Sequence, residues 1–163
     1  QRLVRFKPRL SMVALDASSR AGWQERLRFG LDHGNFYSLQ HTVVNLEDES
    51  EGFLESLSYL REEQGDIDQQ EFLPAADACN MSAELDRAIF PGLLDAIANQ
   101  PGTQRHILNI SAGSLADEGF PAWFGQQLAQ RAIAGIDRSR NHRRVYAFLH
   151  RPGLAGHHGF IDF

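Results

Sequence analysis

Residues 53–61 read FLESLSYLR, an apolar run that contains one carboxylate. Such a run is typical of a β-strand, in which successive side chains point to opposite faces. Glu55 then shares one face with Leu57 and Tyr59, and the other face carries the even-numbered residues. A carboxylate buried without partners costs several kcal/mol. Glu55 therefore either faces water on an edge strand or lies in a site with a cation, a metal ion or hydrogen-bond donors.

The composition is that of a soluble domain with one core. The chain has 163 residues, of which 42% are hydrophobic and 23% are charged, so it can bury one substantial core. No apolar run approaches the roughly 18 residues of a membrane span and no signal peptide is visible, so a cytoplasmic location is expected. A single cysteine, Cys79, excludes an internal disulfide framework. The net charge of -5 argues against a nucleic-acid-binding surface.

Helical and strand patterns alternate along the chain. Residues 1–17 carry cationic side chains among apolar ones, so we expect a linker from a preceding module there and one domain over 18–163. Ser18 and Ser19 are expected to cap a helix that Gly34 ends. Residues 36–46 and 53–60 read as the first two strands.

The second half continues the alternation. Ser82 opens a helical pattern that Pro91 is expected to interrupt and restart. Asp117 is expected to cap a later helix that carries Phe120. The other predicted strands are 106–110 and 159–163. Strands that alternate with helices imply a mostly parallel sheet of the α/β class.

An ordered series of motifs resembles the EAL domains of bacterial cyclic di-GMP signalling proteins. Members typically carry Glu-Ala-Leu-x-Arg on a strand, then Phe-Ile-Pro-x-Ala-Glu, a Leu-Asp helix, and a strand with Asn-x-Ser. The matching stretches here are ESLSY at 55–59, FLPAAD at 72–77, LD at 85–86 and NIS at 109–111. The similarity runs from Asn35 to Ser139, and the order of the motifs is more specific than any one of them.

The resemblance implies the (β/α)8 TIM-like barrel of EAL domains, in an incomplete form. Such barrels usually need roughly 200 residues or more. A strand that relatives carry before residues 141–144 has no counterpart, and residues 145–149 resemble the helix that follows it. We expect that residues near 140 have been omitted, with a shortened relative as the alternative.

The resemblance also implies a site for phosphodiester hydrolysis of cyclic di-GMP, with Mg²⁺ or Mn²⁺ held by oxygen ligands at the carboxyl ends of the strands. Metal-binding positions of the family are matched by Glu55, Asn109 and Asp162, whereas Phe163 stands where a second aspartate is expected. The positions expected to bind nucleotide are Gln40, Glu55, Leu57, Tyr59, Asp77 and Asn109.

Several residues depart from the family pattern. Tyr59 replaces the arginine of Glu-Ala-Leu-x-Arg, so one hydroxyl stands where a guanidinium would bind a phosphate with two hydrogen bonds. Asp77 is one methylene shorter than the usual glutamate, and His41 replaces the proline of the usual Gln-Pro pair. These changes predict weak catalysis or none.

Other polar residues have simpler interpretations. Asp86 and Arg87 are expected to form a surface ion pair, with ligand contact as the alternative. Trp123 and Phe124 are expected in the core or at an interface. The histidines expected to face solvent rather than bind metal are His142, His150, His157 and His158.

Three functions follow from the resemblance. The leading hypothesis is a degenerate EAL domain, from a GGDEF-EAL protein, that acts as a cyclic di-GMP receptor or regulatory scaffold. The alternatives are an active metal-dependent phosphodiesterase and a protein-interaction module that binds no nucleotide. The expected partners are cyclic di-GMP and other signalling domains or proteins, with homodimerisation left open.

Overall fold

The computed structural model describes residues 16–44, 51–100, 104–133, 144–150 and 160–161. The helices are α1 (Ala17–His33), α2 (Gln69–Ala78), α3 (Ser82–Asn99), α4 (Ala112–Ala116) and α5 (Phe120–Gln130). The strands are β1 (Phe36–Val44), β2 (Glu51–Leu60), β3 (Ile67–Asp68), β4 (Arg105–Ser111), β5 (Arg144–His150) and β6 (Phe160–Ile161). Residues 1–15 of the predicted linker and the predicted metal ligand Asp162 lie outside the described residues.

The strands form one mixed sheet with the order β1-β2-β4-β5-β6, and β3 pairs with β2 beside that path. The pairs β2–β4 and β4–β5 are parallel. The pairs β1–β2, β2–β3 and β5–β6 are antiparallel, so the predicted mostly parallel sheet is wrong in this part of the chain. Only residues 45–50 separate β1 from β2, and a parallel pair would need a crossover of about a dozen residues or more.

Two apolar clusters pack helices against the sheet. Near the first strands the core is formed by Leu27, Leu60, Ile67, Phe72, Leu73, Ala76, Met81, Leu85 and Ile89. Around β4 it is formed by Phe90, Leu93, Leu94, Ile97, Leu108, Ile110, Phe120, Phe124, Leu128 and Ile133. Helix α3 contributes to both clusters, so it connects the two halves of the core. Phe124 is fully buried, as predicted, and Trp123 is partly buried against the second cluster.

Two predicted elements differ from the structure. Helix α3 runs through Pro91 without the predicted interruption, because buried leucines on both sides of the proline hold one continuous stripe against the sheet. Residues 145–149 were predicted to resemble a helix but form β5, which pairs with β4 along its whole length. Valine, tyrosine and phenylalanine at positions 145, 146 and 148 favour extended backbone.

The residues that begin helices α1 and α5 differ from the predicted caps. Helix α1 begins after Asp16, whose carboxylate accepts the Ser19 N–H at 2.7 Å. It ends at Gly34 as predicted, with φ of 65° in the left-handed region that glycine adopts without strain. Helix α5 is capped by Gly119, and Asp117 accepts the Gly119 N–H at 2.9 Å through its side chain.

Gly30 lets α1 pack closely against residues of β1 and β2. A Cβ atom at Gly30 would lie 2.6 Å from Leu60 Cδ1 and 2.9 Å from Phe36 Cε2, whereas one at Gly22 of the same helix would meet nothing within 4 Å. We expect Gly30→Ala to lower the free energy of unfolding by about 1–2 kcal/mol, since overpacking outweighs the helix-propensity gain. Gly22→Ala should raise it by about 0.5–1 kcal/mol. Chemical denaturation measures both, and an equal effect of the two substitutions would contradict the close packing.

Candidate functional site

Glu55 and Asn109 lie side by side on neighbouring parallel strands. Glu55 of β2 is level with Ile107 of β4, and Asn109 follows two residues further along the same face. The Asn109 Nδ2 atom lies 3.5 Å from Glu55 Oε1, a long hydrogen bond between partly buried side chains. Two of the three residues predicted to bind metal are therefore neighbours in space.

The strand registers separate the side chains into two sets. The face of β1, β2 and β4 that carries Glu55, Tyr59 and Asn109 is called the site face below. The opposite face, which carries Ser56, Leu60 and Leu108, is called the helix face because those residues are buried under the helices. Since directly opposed residues of an antiparallel pair share a face, the register of β1 against β2 assigns every residue of β1 to one face.

That register does not bring Gln40 to the site face. Gln40 is paired with Ser56, and its Nε2 atom lies 3.4 Å from Nδ1 of His106, a fully buried residue of the helix face. Gln100 also donates a hydrogen bond to the Gln40 side-chain oxygen. The residue directly opposite Glu55 is His41. In the sequence His41 stands out only as a departure from the family pattern, and its place on the site face follows from the pairing of β1 with β2.

An aromatic pair occupies the site face beyond Glu55. Tyr59 is level with Tyr37 of β1, and the two rings stack with centroids 5.4 Å apart and an interplanar angle of 21°. The Tyr37 hydroxyl donates a hydrogen bond to Asp66 Oδ2 at 2.5 Å, which raises the pKa of Tyr37. Leu57 lies between Glu55 and Tyr59 on the same face, opposite Leu39. Leu57 and Tyr59 thus share one surface with Glu55, as the strand pattern predicts.

A buried acid lies where β4 ends. Asp86 of α3 is only 4% exposed, and its Oδ2 atom accepts the Ser111 N–H at 2.9 Å and the Ser114 hydroxyl at 2.8 Å. Burial raises the pKa of Asp86 from 3.8 to about 6, against the lowering effect of these hydrogen bonds. The charge of Asp77 adds a smaller increase. No hydrogen bond in the described part of the chain joins Asp77 to Glu55 or Asn109.

The predicted surface ion pair between Asp86 and Arg87 is wrong. Neighbouring residues of a helix point in different directions, so Asp86 faces the sheet while Arg87 faces outward. Arg87 pairs instead with Asp117 at 2.8 Å, and its guanidinium lies 4.9 Å from the centroid of the Trp123 ring. These contacts of Arg87 hold α3 against the end of α4 and against α5.

The oxygen donors of the described site are few. Glu55 and Asn109 offer one carboxylate and one amide, which suit Mg²⁺ or Mn²⁺ and fit part of a metal site. Nowhere in residues 16–44, 51–100 and 104–133 do three or more histidine, cysteine, aspartate or glutamate side chains group to hold a metal ion. The third predicted ligand, Asp162, is outside the described residues, as are His142, His157 and His158.

The carboxylate of Glu55 and the amide of Asn109 lie within a region of the chain that matches a known family. Residues 24–137 match the family model described as the EAL domain. The chain belongs to the EAL domain family. The fold predicted from the motifs, an incomplete TIM-like barrel of the EAL type, is confirmed. No curated protein matches the chain in sequence.

Solved EAL structures resemble this EAL domain in fold. The EAL domain of FimX from Pseudomonas aeruginosa, bound to c-di-GMP, has 22% identity and a TM-score of 0.63 over 78% of this chain and 49% of that one. The S helix-GGDEF-EAL part of LapD from Vibrio cholerae, also bound to c-di-GMP, has 17% identity and a TM-score of 0.59 over 69% and 27%. The EAL enzyme Bd1971, bound to cAMP and cyclic di-GMP, has 12% identity and a TM-score of 0.68 over 83% and 38%. The chain spans half or less of the length of these structures.

A further property concerns membranes. Among the helices that the structure describes, none is both long enough and apolar enough to cross a bilayer.

Asp86 gives the EAL domain a testable pH dependence. Because the folded-state pKa of about 6 exceeds the usual 3.8, the folded state binds the proton more tightly, so stability falls as the pH rises from about 4 to 6. Relative to Asp86→Asn, the wild type should lose up to about 3 kcal/mol of unfolding free energy over this range. Urea denaturation at stepped pH measures the difference.

The Asn variant is a fair comparison because its amide oxygen can still accept both hydrogen bonds. Asp32→Asn, at an exposed position of α1, serves as the control and should keep the wild-type pH dependence. Parallel stability curves for the wild type and Asp86→Asn would contradict the raised pKa.

Proposed function

We propose that this EAL domain binds cyclic di-GMP as a receptor or regulatory scaffold in bacterial signalling, with little or no hydrolysis. The observation that carries the proposal is the 3.5 Å contact between Glu55 and Asn109 on neighbouring parallel strands. Family motifs far apart in sequence supply these two residues, and the fold brings them to one surface. The c-di-GMP bound to the similar FimX and LapD structures supports the choice of ligand.

Weak catalysis follows from the donor set. In the proposed site, Glu55 and Asn109 would hold Mg²⁺ or Mn²⁺, with Asp162 as a third ligand. A bound metal ion would supply water activation and neutralise phosphate charge. Phe163 stands where the family resemblance places a second aspartate, and a phenyl ring offers no lone pair to a cation. A metal site that lacks one carboxylate should be occupied poorly at ordinary concentrations.

Tyr59 further reduces the attraction for phosphate. It replaces the arginine of the family motif, so a neutral hydroxyl stands where a charged fork is usual. The Tyr59 ring is stacked on Tyr37, which holds it on the site face beside Leu57. The proposed nucleotide-binding surface therefore consists of Glu55, Leu57, Tyr59 and Asn109, with Asp77 as a further predicted contact.

The wider context is part of the proposal. We infer that the domain is cytoplasmic and that residues 1–17 link it to a preceding module. Binding of nucleotide would then be communicated to other signalling domains or proteins. An active phosphodiesterase remains the competing enzyme hypothesis, since the similar Bd1971 is described as an EAL enzyme. A protein-interaction module without nucleotide binding is the competing non-enzyme hypothesis.

Calorimetric titration with cyclic di-GMP, with and without Mg²⁺, tests the proposal directly. We expect saturable binding of the nucleotide and negligible linear dinucleotide product by chromatography, since the donor set is incomplete. Glu55→Gln should weaken any Mg²⁺-dependent part of binding because an amide offers one neutral oxygen in place of two charged ones. Substantial turnover with Mg²⁺ or Mn²⁺ that Glu55→Gln abolishes would establish the phosphodiesterase instead. A wild type that does not bind would establish the interaction module.

Replacement of the aromatic residue in the motif gives a second test. Tyr59→Arg should strengthen cyclic di-GMP binding roughly tenfold, or by about 1 to 2 kcal/mol, because a guanidinium can donate two charge-assisted hydrogen bonds to a phosphate. Titration of both proteins measures the change. Tyr59→Phe is the matched control, since it keeps the stacked ring and should weaken binding slightly or leave it unchanged. A lowered melting temperature for Tyr59→Arg with no binding by either protein would count against a receptor.

A further inference from the structure

Arg61 extends the site face one step beyond Tyr59. It follows β2 directly, and its backbone N–H donates to the Asn35 carbonyl at 3.0 Å, which continues the pairing of the hairpin past the last strand residue. Alternation then places the Arg61 side chain on the face of Glu55 and Tyr59. The contact of its guanidinium with Tyr37, a residue of the site face, agrees with this placement.

The Arg61 side chain reaches back along the strand. Its guanidinium carbon lies 4.9 Å from the centroid of the Tyr37 ring, within the range of a cation–π interaction. Tyr37 is directly opposite Tyr59, so this contact brings the positive charge near the level of residue 59. The arginine of the family motif would start at that same level.

The positive charge of Arg61 is not neutralised by a described carboxylate. Four other described arginines form ion pairs with carboxylates: Arg26, Arg28, Arg87 and Arg131. Arg61 is exposed and forms no ion pair with any carboxylate that the structure describes. The nearby Asp66 carboxylate accepts the hydrogen bond of Tyr37, and it also opposes the approach of an anion. The ring of Tyr37 thus orients a guanidinium that donates to no acceptor within the described residues.

We propose that Arg61 binds a phosphate group of the nucleotide and replaces the arginine that Tyr59 displaced. The inference rests on the proposed function, because it assumes that the site face receives cyclic di-GMP. The planar guanidinium can donate two parallel N–H bonds to a phosphate, and this geometry also gives it an advantage over lysine. Tyr37 is the positioning residue, since its ring holds the guanidinium over the site face.

Calorimetric titration of the full chain with cyclic di-GMP tests the role of Arg61. Arg61→Gln should weaken binding about tenfold, and Arg61→Lys should weaken it less, since a point charge keeps attraction without the fork. Tyr37→Ala should also weaken binding, because it removes the ring over which the guanidinium lies. The control is Arg20→Gln, at an exposed position of α1 and likewise without an ion pair in the described structure, which should leave affinity unchanged.

A double variant tests whether residues 59 and 61 serve the same phosphate. If they do, the gain in affinity from Tyr59→Arg should be larger in the Arg61→Gln background than in the wild type. Melting temperatures of all variants identify any loss caused by misfolding. A wild type that binds while Arg61→Gln binds equally well would overturn the role of Arg61 and leave the receptor function intact. A folded wild type that binds no cyclic di-GMP would overturn the receptor function, and the role of Arg61 with it.

Discussion

Burial of one face of β2 and β4 under the helices is the constraint on which the site depends. Leu60 and Leu108 are almost completely removed from water by residues of α1, α2, α3 and α5. Because side chains alternate along a strand, this burial forces Glu55 and Asn109 onto the opposite face. A slip of one residue would place a carboxylate among apolar side chains at a cost of several kcal/mol. The core therefore fixes the register, and the register fixes the site.

Helix α3 carries this constraint to the end of β4. Its apolar residues belong to both core clusters, and the buried Asp86 accepts hydrogen bonds from Ser111 and Ser114, which follow Asn109 along the chain. A buried acid with a pKa of about 6 is mostly ionised at neutral pH, so it accepts these hydrogen bonds as a buried charge, which costs some stability. The position of Asn109 next to Glu55 thus depends on a polar contact as well as on apolar packing.

The site face carries aromatic rings at a position where the family motif carries an arginine. An aromatic pair, Tyr37 and Tyr59, occupies the level at which a guanidinium is usual, and the guanidinium of Arg61 lies over the Tyr37 ring. Rings stacked in this way offer an apolar surface of fixed shape, whereas phosphate recognition requires charge. On this strand a tyrosine therefore stands at the level of the motif arginine, and an arginine follows two residues later on the same face.

The sequence by itself determined the order of the motifs and hence the family. It also determined the strand character of residues 53–60 and the common face of Glu55, Leu57 and Tyr59, because alternation is a local property of extended backbone. Local propensity was a poorer guide at Pro91, through which α3 continues because its buried residues pack on both sides. At residues 145–149 the family resemblance was the poorer guide, since these residues favour extended backbone and pair with β4.

Only the tertiary structure decided which residues meet across strands. Alternation alone leaves the face of β1 undetermined. The family pattern favoured Gln40, and only the pairing with β2 placed His41 opposite Glu55. Likewise, no local pattern revealed that Asp86 is buried beneath the end of β4 while Arg87 pairs with Asp117. Register and burial are set by contacts between residues far apart in the chain. The physical reason is that alternation sorts side chains into two faces, but only the packing of the helices decides which face is buried.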